Sequence, residues 1–524
     1  MNKFFLLNLP VGTGKSHLAL MISDWYRKTV DRTAKIDIIT NSKILQDQYS
    51  NTYQSISDLK GKENYECEQY SCSCAQGAEF NRLNKTSCEA CPYTSAKDSF
   101  IAGGISLTNF YLYILYAIYN PKLMENRDAR VLIVDEAHEF DDVMSDFISI
   151  RITENVLKKF KFSNEYEILK RLKSVSSIEQ YIDFLKFLST EILTTIDEME
   201  KGMTSGGRSI RQDKRDLKIS KLLKTKNSDV KVMQLATDLR QYQLKIEIFL
   251  KEYKSNPNNW ILETNYNEKL KQKELSLEPI WAYDYLDKYV FSHYDMVFLM
   301  SGTILDKSLF CQLNGLDVTK AVYYSIASPF NVKNRPIYYM PLGKMSFKFK
   351  EDTFQRYIPY IKKLLEKYKN KKGIIHTNSF ELAKWIEEKI KDSRLIFHDS
   401  QNKDEMLKMH KESDKPTVIV SPSMDTGVSF DNDDARFQII AKVPYPSLAS
   451  QKNKLRQKNN PEWYSWKTVS GLIQMTGRPV RSSLDYADTI IIDGSFGDVM
   501  KHSSHFLPDW IQEAIKKITV KIEA

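Results

Sequence analysis

The sequence predicts an α/β protein built on two parallel β-sheets. Short runs of apolar and β-branched residues, each closed by a polar or small residue, recur along the chain with helical lengths between them. Continuous apolar strands of this kind are typical of sheets that helices cover on both faces. A glycine-rich loop directly follows the first run and an acidic pair follows the fourth, so polar groups gather where strands end.

The runs form two series, and each series predicts one sheet. The first series is Phe4–Leu9, Ile36–Thr40, Ile105–Thr108, Val131–Val134 and Met296–Met300. The second series is Gly373–His376, Thr417–Val420, Phe437–Val443 and Thr489–Ile492. We place the boundary near residues 331–336, and a cleft between the two units is the natural place for a nucleotide.

Two stretches interrupt the first series. Residues 60–104 contain most of the cysteines and little periodicity, which indicates a small, loop-rich module that needs a metal to hold it together. Residues 145–285 are rich in Lys, Glu, Leu and Ile, with apolar residues at helical spacing between Ile178 and Leu188. They predict several amphipathic helices, with breaks at Gly202–Gly207 and near Pro257.

Length and charge set outer limits on the protein. The chain has 524 residues, which is too long for one core and predicts three or four units. No apolar stretch approaches the roughly 20 residues of a membrane span, and the first residues lack a signal-peptide pattern, so we expect a cytoplasmic protein without membrane association. The net charge of +9 suits a polyanionic partner, and a solvated surface explains it equally well.

Residues 9–16, Leu-Pro-Val-Gly-Thr-Gly-Lys-Ser, have the pattern of a phosphate-binding loop between a predicted strand and a predicted helix. Gly12 and Gly14 let the backbone turn its N–H groups towards phosphate oxygens, and the positive end of the helix faces the anion. Lys15 would reach the β and γ phosphates, and Ser16 would bind magnesium. The standard pattern begins with Gly or Ala where this chain has Leu, so a chance glycine-rich turn is the alternative.

The acidic pair Asp135-Glu136 stands at the end of an apolar run. A carboxylate at the first position would hold magnesium, and Glu136 would orient and deprotonate the attacking water. Taken alone, the pair is also what a solvated acidic turn looks like.

The segment Gln474-Met-Thr-Gly-Arg-Pro-Val-Arg481 places two arginines three residues apart, on one face if the segment is helical. Arginine supplied across a cleft stabilises charge on a transferring phosphoryl group. A surface helix with two arginines is the alternative.

Five of the six cysteines lie between Cys67 and Cys91, and Cys311 stands apart. In a reducing compartment, clustered thiols are more often metal ligands than disulfides.

Together these segments resemble the superfamily 2 DNA helicases of the XPD/DinG (Rad3-like) iron-sulfur family, over nearly the whole chain. The matching motifs, in family order, are Pro10–Ser16, Ile39–Gln48, Asp135–His138, Ser301–Thr303, Ile374–Ser379, Met424–Phe430 and Gln474–Arg481. The two ends of the family's iron-sulfur module resemble the segment ending at Cys67 and the segment Cys88–Tyr93. The family segments that flank the motif Ser301–Thr303 resemble Leu277–Ile280 and Ser328–Phe330.

The resemblance implies two RecA-like parallel-sheet domains, with an iron-sulfur module and a helical arch inserted in the first. The first motor domain would comprise residues 1–59, 105–144 and 286–330. The iron-sulfur module would comprise residues 60–104 and the arch residues 145–285. Residues 331–524 would form the second motor domain.

The resemblance also implies ligands and catalytic residues. A 4Fe-4S cluster would be held by Cys67, Cys74, Cys88 and Cys91, with Cys72 possible in place of Cys74 and a four-thiolate zinc site as the alternative. ATP with Mg²⁺ would bind Pro10, Val11, Gly12, Thr13, Gly14, Lys15, Ser16, His17, Gly427 and Asp431, with Ser16 and Asp135 on the magnesium. The catalytic set would be Lys15, Asp135, Glu136, His138, Gln474, Arg478 and Arg481.

The function implied is an ATP-dependent DNA helicase, working as a monomeric, nucleoid-associated motor. It would translocate 5′ to 3′ on single-stranded DNA, open forked DNA, and accept DNA–RNA hybrids as further candidate substrates. One alternative is a translocase that displaces proteins from nucleic acid with little unwinding; a catalytically inactive binding module and a P-loop enzyme acting on a small molecule are others. Family members normally have an adenine-reading segment before the phosphate loop, where this chain has only nine residues, so either the start is trimmed or base selectivity is weak. The nuclease domain of some relatives is not expected.

Overall fold

The structure is a computed structural model that describes residues 2–53, 55–70, 72–84, 86–88, 90–204, 228–267, 272–346, 348–399, 402–422, 430, 432–482 and 484–518. Its architecture is that of two parallel α/β units with insertions in the first, as the sequence predicts. None of the helices in these ranges is long and apolar enough to cross a membrane.

The first sheet has seven strands, and every pairing in it is parallel. In spatial order its strands are Ala321–Ser325, Phe4–Asn8, Met296–Ser301, Ala129–Asp135, Lys35–Thr40, Ile105–Asn109 and Ser57–Asp58. Asn8 is in register with Ser301, and Met300 with Asp135. The carboxyl ends of these central strands therefore carry their polar residues to one edge of the sheet, where α/β proteins bind ligands.

The second sheet also has seven strands, again all parallel. Its spatial order is Leu395–Phe397, Val418–Ser421, Gly373–His376, Phe437–Ile440, Asp488–Asp493, Ile337–Gly343 and Ile515–Lys517. The central strands are buried along their whole length, which agrees with their unbroken apolar sequences.

All nine predicted strands are present, with ends that differ by a few residues. The run Phe437–Val443 shortens most, to Phe437–Ile440. Strands that lie towards the sheet edges have weaker apolar patterns and were not predicted; these are Ser57–Asp58, Ala321–Ser325, Ile337–Gly343, Leu395–Phe397 and Ile515–Lys517.

Helices cover both sheets and connect their strands. In the first unit they are Lys15–Thr29, Lys43–Thr52, Phe110–Tyr119, Pro121–Arg127, Phe140–Ile148, Tyr283–Tyr289 and Lys307–Asn314. In the second unit they are Lys350–Lys367, Phe380–Lys389, Lys403–Glu412, Gln451–Asn459, Pro461–Thr476, Phe496–His502 and Asp509–Ala514.

The cysteine-rich insertion is small. A two-stranded antiparallel pair, Glu66–Cys67 with Cys72–Ser73, precedes the helices Cys74–Asn84 and Pro92–Ala102. The cysteines pack with Leu59, Tyr93 and Phe100 in a minor apolar core of their own.

The second insertion contains the expected helices Glu154–Lys159, Glu165–Ser174, Ile178–Thr204 and Ser228–Ser255. Tyr181, Leu185 and Leu188 are fully buried, so the helical spacing identified the packed face of the third helix. A three-stranded antiparallel sheet of Ile150–Thr153, Gln272–Pro279 and Trp260–Asn267 was not expected. The residue limits assigned to the four domains remain predictions.

Candidate nucleotide site

The phosphate loop has the backbone conformation that its glycines make possible. Gly12 and Gly14 adopt φ values of 78° and 77°, in the left-handed region that favours glycine. A Cβ atom at Gly12 would lie 2.1 Å from Cζ of Phe330 and 3.1 Å from the backbone oxygen of Arg481, so a side chain has no room there. The helix starts at Lys15 with no side-chain cap, leaving its first N–H groups available to an anion.

The acidic pair lies directly beside the loop. Nζ of Lys15 is 3.4 Å from Oε1 of Glu136, although the two residues are far apart in sequence. Asp135 is buried at the end of its strand, and Glu136 has a φ of 54°, which is uncommon for a residue with a side chain. Such strained backbone often marks a functional turn, and here it directs the Glu136 side chain towards the lysine.

The two carboxylates have different electrostatic surroundings. Burial and then the negative charge of Glu136 raise the pKa of Asp135 to about 6. Burial opposes ionisation of Glu136 too, but the Lys15 ammonium and then the Arg481 guanidinium lower its pKa below the ordinary value. Oε2 of Glu136 is buried without a hydrogen-bond partner, so one oxygen of an ionised carboxylate is available to a water molecule.

A buried histidine links the acidic pair to the neighbouring strand and to the second unit. Nδ1 of His138 is 2.9 Å from Oγ of Ser301, and that hydroxyl is 3.1 Å from the hydroxyl of Thr303. Nε2 of His138 is 3.5 Å from Nε2 of Gln474, across the boundary between the units. Burial lowers the pKa of His138, so its ring is neutral at pH 7 and able to accept one hydrogen bond and donate another.

The two arginines of the segment Gln474–Arg481 do not lie on a helix. The helix Pro461–Thr476 ends inside the segment, before Arg478, because Pro479 cannot continue the helix and disfavours helical backbone at Arg478. Arg478 is buried, and Arg481 lies close enough to Glu136 to lower its pKa. The condition for a shared helical face is therefore not met, yet the segment does reach the phosphate loop.

The remaining predicted residues have varied positions. Thr13 Oγ1 donates to the backbone oxygen of Pro10 at 2.7 Å, which stabilises the turn of the loop. His17 is exposed, and its ring packs edge-on against Tyr53 with centroids 5.5 Å apart. Gly427 and Asp431 lie outside the described residues, as does most of the motif Met424–Phe430.

Sequence reasoning missed two residues that shape the site. Tyr49 is fully buried and its hydroxyl donates to Oδ2 of Asp135 at 3.0 Å; nothing in the sequence indicated it. Phe330 packs on the phosphate loop, and its only signal was the segment Ser328–Phe330 that resembles the helicase family.

The clustered cysteines form a second candidate site. Cys67 lies in register with Cys72, and the Sγ atoms of Cys67 and Cys88 are 4.0 Å apart. Burial and then the neighbouring Cys91 thiol raise the pKa of Cys74 to about 12. Nδ2 of Asn81 donates to Sγ of Cys88 at 2.8 Å.

The donor set provides four or five sulfurs within one small apolar core, which fits a metal–thiolate group in number and type. Across the residues that the structure describes, no three His, Cys, Asp or Glu side chains are arranged to hold one metal ion. An iron-sulfur cluster does not require its cysteines to converge on one metal ion, because its thiolates bind different iron atoms.

Two family models match the chain. Residues 361–514 match the helicase C-terminal domain, and residues 1–166 match the res subunit of type III restriction enzymes. The first range falls in the second unit, and the second range contains the phosphate loop and the acidic pair.

Curated relatives include the ATP-dependent DNA helicase CHL1 of Eremothecium gossypii. That protein is 22% identical over 543 residues, which cover 90% of this chain and 62% of the relative. The CHL1 helicase of Vanderwaltozyma polyspora is 22% identical, over 83% of this chain and 59% of its own length. The chain thus spans about six tenths of the length of these relatives.

Solved structures share the fold over almost the entire chain. An XPD helicase superimposes with a TM-score of 0.62 at 14% identity, covering 99% of this chain and 96% of its own. Xpd4 of S. tokodaii gives a TM-score of 0.59 at 13% identity, over 99% and 96%. The chain therefore shares the fold of XPD helicases, and its second unit contains a match to the helicase C-terminal domain.

Proposed function

We propose that this chain is an ATP-dependent DNA helicase that translocates 5′ to 3′ along a single strand and unwinds the duplex ahead of it. The observation that carries the proposal is the convergence of Lys15 and Glu136 from the first unit with Gln474 and Arg481 from the second in one crevice. A site divided between two units allows ATP hydrolysis to change the gap between them.

The proposed chemistry is phosphoryl transfer to water. Lys15 and the loop N–H groups would bind the β and γ phosphates, and Ser16 and Asp135 would hold magnesium, which neutralises phosphate charge when bound. Glu136 would accept a proton from the attacking water through its unpartnered Oε2. Arg478 and Arg481 would stabilise charge on the transferred group from the opposite side of the crevice.

Coupling to the nucleic acid would pass through His138. Its hydrogen bonds join the turn that holds Glu136 to Ser301 in the first unit and Gln474 in the second. A change at the γ phosphate that moves Glu136 or Gln474 would therefore alter contacts in both units. Polar strand-end residues that would bind the DNA backbone include the part-exposed Asn41 and Asn378.

The cysteine module would bind a 4Fe-4S cluster and act as a structural brace. Its core is too small to be stable without a cross-link, and the cluster when bound would supply one. With the helical insertion it would form the wedge that separates the strands at a fork.

The decisive experiment measures ATP hydrolysis with and without single-stranded DNA on protein purified anaerobically, with its visible absorption spectrum recorded. We expect DNA-stimulated hydrolysis and broad iron-sulfur absorbance. Lys15→Ala should abolish hydrolysis, whereas Lys28→Ala on the exposed side of the same helix should not. Hydrolysis that is indifferent to DNA would contradict the proposal.

Strand displacement on 5′-tailed and 3′-tailed duplexes tests the direction. Unwinding of the 5′-tailed duplex alone is the expected result. Displacement of a bound protein without displacement of either strand would instead indicate a translocase.

A further inference from the structure

The helix Lys43–Thr52 lies beside the nucleotide site and has no role in the chemistry proposed above. It begins soon after the strand Lys35–Thr40, with Ser42 as its N-cap residue. Its buried residues are Gln46 and Tyr49, which lie three positions apart on one face and are both 0% exposed. Burying polar atoms costs free energy unless they have hydrogen-bond partners, so this face makes specific polar contacts.

Gln46 fixes the helix to the first sheet. Its Nε2 donates to the backbone oxygen of Leu59 at 2.9 Å and to Oδ1 of Asp58, and its Oε1 accepts from Nδ2 of Asn109 at 3.1 Å. Ser50, one turn further on, donates to Oδ2 of Asp58 at 2.8 Å. Asp58 and Asn109 end two neighbouring strands of that sheet. The helix therefore cannot slide without breaking several hydrogen bonds, and Tyr49 between the two anchors is held with it.

The Tyr49 hydroxyl connects the two residues proposed to hold magnesium. The Ser16 hydroxyl donates to the Tyr49 oxygen, and Tyr49 donates to Oδ2 of Asp135 at 3.0 Å. The other carboxylate oxygen, Oδ1, accepts from the backbone N–H of Glu136 at 2.9 Å. Each oxygen of Asp135 thus has a fixed donor, which sets the rotation of the carboxylate and leaves further lone pairs for other ligands.

The oxygens of Ser16 and Asp135 are suitable magnesium ligands. Mg²⁺ demands near-ideal octahedral geometry, and proteins usually bind it through one or two carboxylates beside substrate phosphates. The two residues belong to different elements, the helix Lys15–Thr29 and the strand Ala129–Asp135. Neither element alone fixes the distance between the two oxygens, so a group bound to both residues influences the geometry of the metal site directly.

We propose that Tyr49 is a positioning residue for magnesium, which acts through Ser16 and Asp135 and does not touch the ion or the nucleotide. The proposal rests on the proposed function, because it takes the nucleotide phosphates to lie at Lys15 with the ion beside them. Removing a hydrogen-bond partner of a metal ligand typically lowers metal affinity by about 10- to 100-fold. A tyrosine on an anchored helix supplies such a partner before the ion arrives, so the ligands need little reorganisation on binding.

The test is a titration of the full chain, saturated with ADP, with Mn²⁺, which replaces Mg²⁺ and whose unbound form gives an EPR signal. Tyr49→Phe removes the hydroxyl and keeps the ring, so we expect Mn²⁺ affinity to fall by about 10- to 100-fold in a folded protein. ADP affinity measured in EDTA should stay that of the wild type, because the phosphate loop is intact. The Mg²⁺ concentration that half-saturates ATP hydrolysis should rise by a similar factor, with a smaller change in the rate at saturating Mg²⁺.

The matched control is Tyr113→Phe in the same unit. Tyr113 is 1% exposed and its hydroxyl is 2.7 Å from that of Tyr294, so this change also removes one buried hydroxyl from a hydrogen bond. It should leave Mn²⁺ affinity unchanged. Gln46→Met is a second test variant, because it removes anchors of the helix and leaves the Tyr49 hydroxyl in place. It should weaken Mn²⁺ binding in the same direction, but less than Tyr49→Phe does.

Unchanged Mn²⁺ affinity in Tyr49→Phe would overturn the positioning role while leaving the nucleotide site intact. A loss that Tyr113→Phe matches, or that extends to ADP affinity in EDTA, would show that Tyr49 only supports the fold and would overturn the positioning role as well. Failure of the wild type to bind ADP, or to bind Mn²⁺ once ADP is present, would overturn the proposed function and the positioning role with it.

Discussion

At the scale of single residues, the candidate site holds charges that stabilise one another only because chain folding brings them together. Lys15 and Glu136 form an ion pair at 3.4 Å, with side chains only 12% and 22% exposed. Asp135 next to them is fully buried and receives a hydrogen bond from Tyr49. Burying any one of these charges alone would cost free energy of desolvation, so the three groups stabilise one another. Together they can bind a phosphate and a cation.

Glu136→Gln should lower the rate of ATP hydrolysis at saturation by about 10²- to 10⁴-fold, because the amide cannot accept a proton from water. Nucleotide affinity should change little, since Lys15 and the loop amides remain. Steady-state kinetics with separate measurement of ATP binding checks this. Glu366→Gln, at a 75% exposed position, is the control and should behave like the wild type.

Another buried pair supports the first sheet. Arg127 Nε donates to Oδ1 of Asp37 at 2.9 Å, with the two side chains 0% and 1% exposed. Arg127→Met should destabilise the first unit by about 3–5 kcal/mol, because it leaves Asp37 as an uncompensated buried charge.

The control for that prediction is nearby. Arg130 pairs with Asp295 at 3.2 Å, but both side chains are more than half exposed. Arg130→Met should cost at most about 1 kcal/mol, since water screens an exposed pair. Urea unfolding measures the free energy of unfolding of both variants. Equal losses of that free energy would contradict the argument from burial.

At the scale of elements, the cysteine module is an insertion between two neighbouring strands of the first sheet. It enters after Ser57–Asp58 and returns to the sheet at Ile105–Asn109, which pair directly with each other. The module can therefore be disturbed without altering the strands that carry the phosphate loop and the acidic pair.

Cys88→Ser should keep most of the ATPase activity and lose strand separation, together with visible iron-sulfur absorbance. The reason is that the module would brace the wedge but lies away from the nucleotide. Parallel ATPase and unwinding assays on forked DNA are the measurement. Cys311→Ser is the control, because Cys311 is far in sequence from the other five cysteines and packs in the main core. Normal unwinding of forked DNA by Cys88→Ser would exclude a wedge formed by the cysteine module.

At the scale of the whole molecule, charged and aromatic contacts join the two units. Nε1 of Trp466 donates to the backbone oxygens of Thr303 and Ile304, at 3.1 Å each. Arg456 pairs with Asp141 at 3.1 Å, and Lys467 with Asp142 at 2.6 Å. These contacts fix the relative position of the units around the crevice, and any change of the gap must alter them.

Asp142→Asn should lower the apparent unfolding midpoint at pH 7, by an amount equivalent to about 1 kcal/mol because the carboxylate is partly screened by solvent. Burial opposes ionisation of Asp142, but Lys467 and Arg456 hold its pKa well below the ordinary value. A lowered pKa stabilises the fold above the unfolded pKa of about 3.9, and this contribution is lost as the pH falls further.

Thermal unfolding at pH 7 and pH 3.5 measures that dependence. The difference between wild type and Asp142→Asn should be full at pH 7 and smaller at pH 3.5. Asp24→Asn, in an exposed pair with Lys28, should show little difference at either pH. If the loss of thermal stability in Asp142→Asn is the same at both pH values, the ion pairs of Asp142 are excluded as its cause.

The sequence alone determined the two sheets, the phosphate loop and the acidic pair, because each depends on local pattern. An apolar run such as Val131–Val134 forms a buried strand in nearly any parallel sheet, and Gly12 and Gly14 permit a turn that other residues resist. The metal module that the clustered cysteines predict stays a prediction. Weakly patterned edge strands, such as Leu395–Phe397, escaped prediction because partners rather than sequence create them.

Only the tertiary structure decided how these pieces meet. It brought Tyr49 onto Asp135, and it placed Phe330, Arg335 and Trp510 around one cavity beside the loop. Contacts between residues so far apart in the chain produce no periodic pattern in the sequence. Their proximity follows from the strand order of two sheets and the packing between them, which local patterns do not specify.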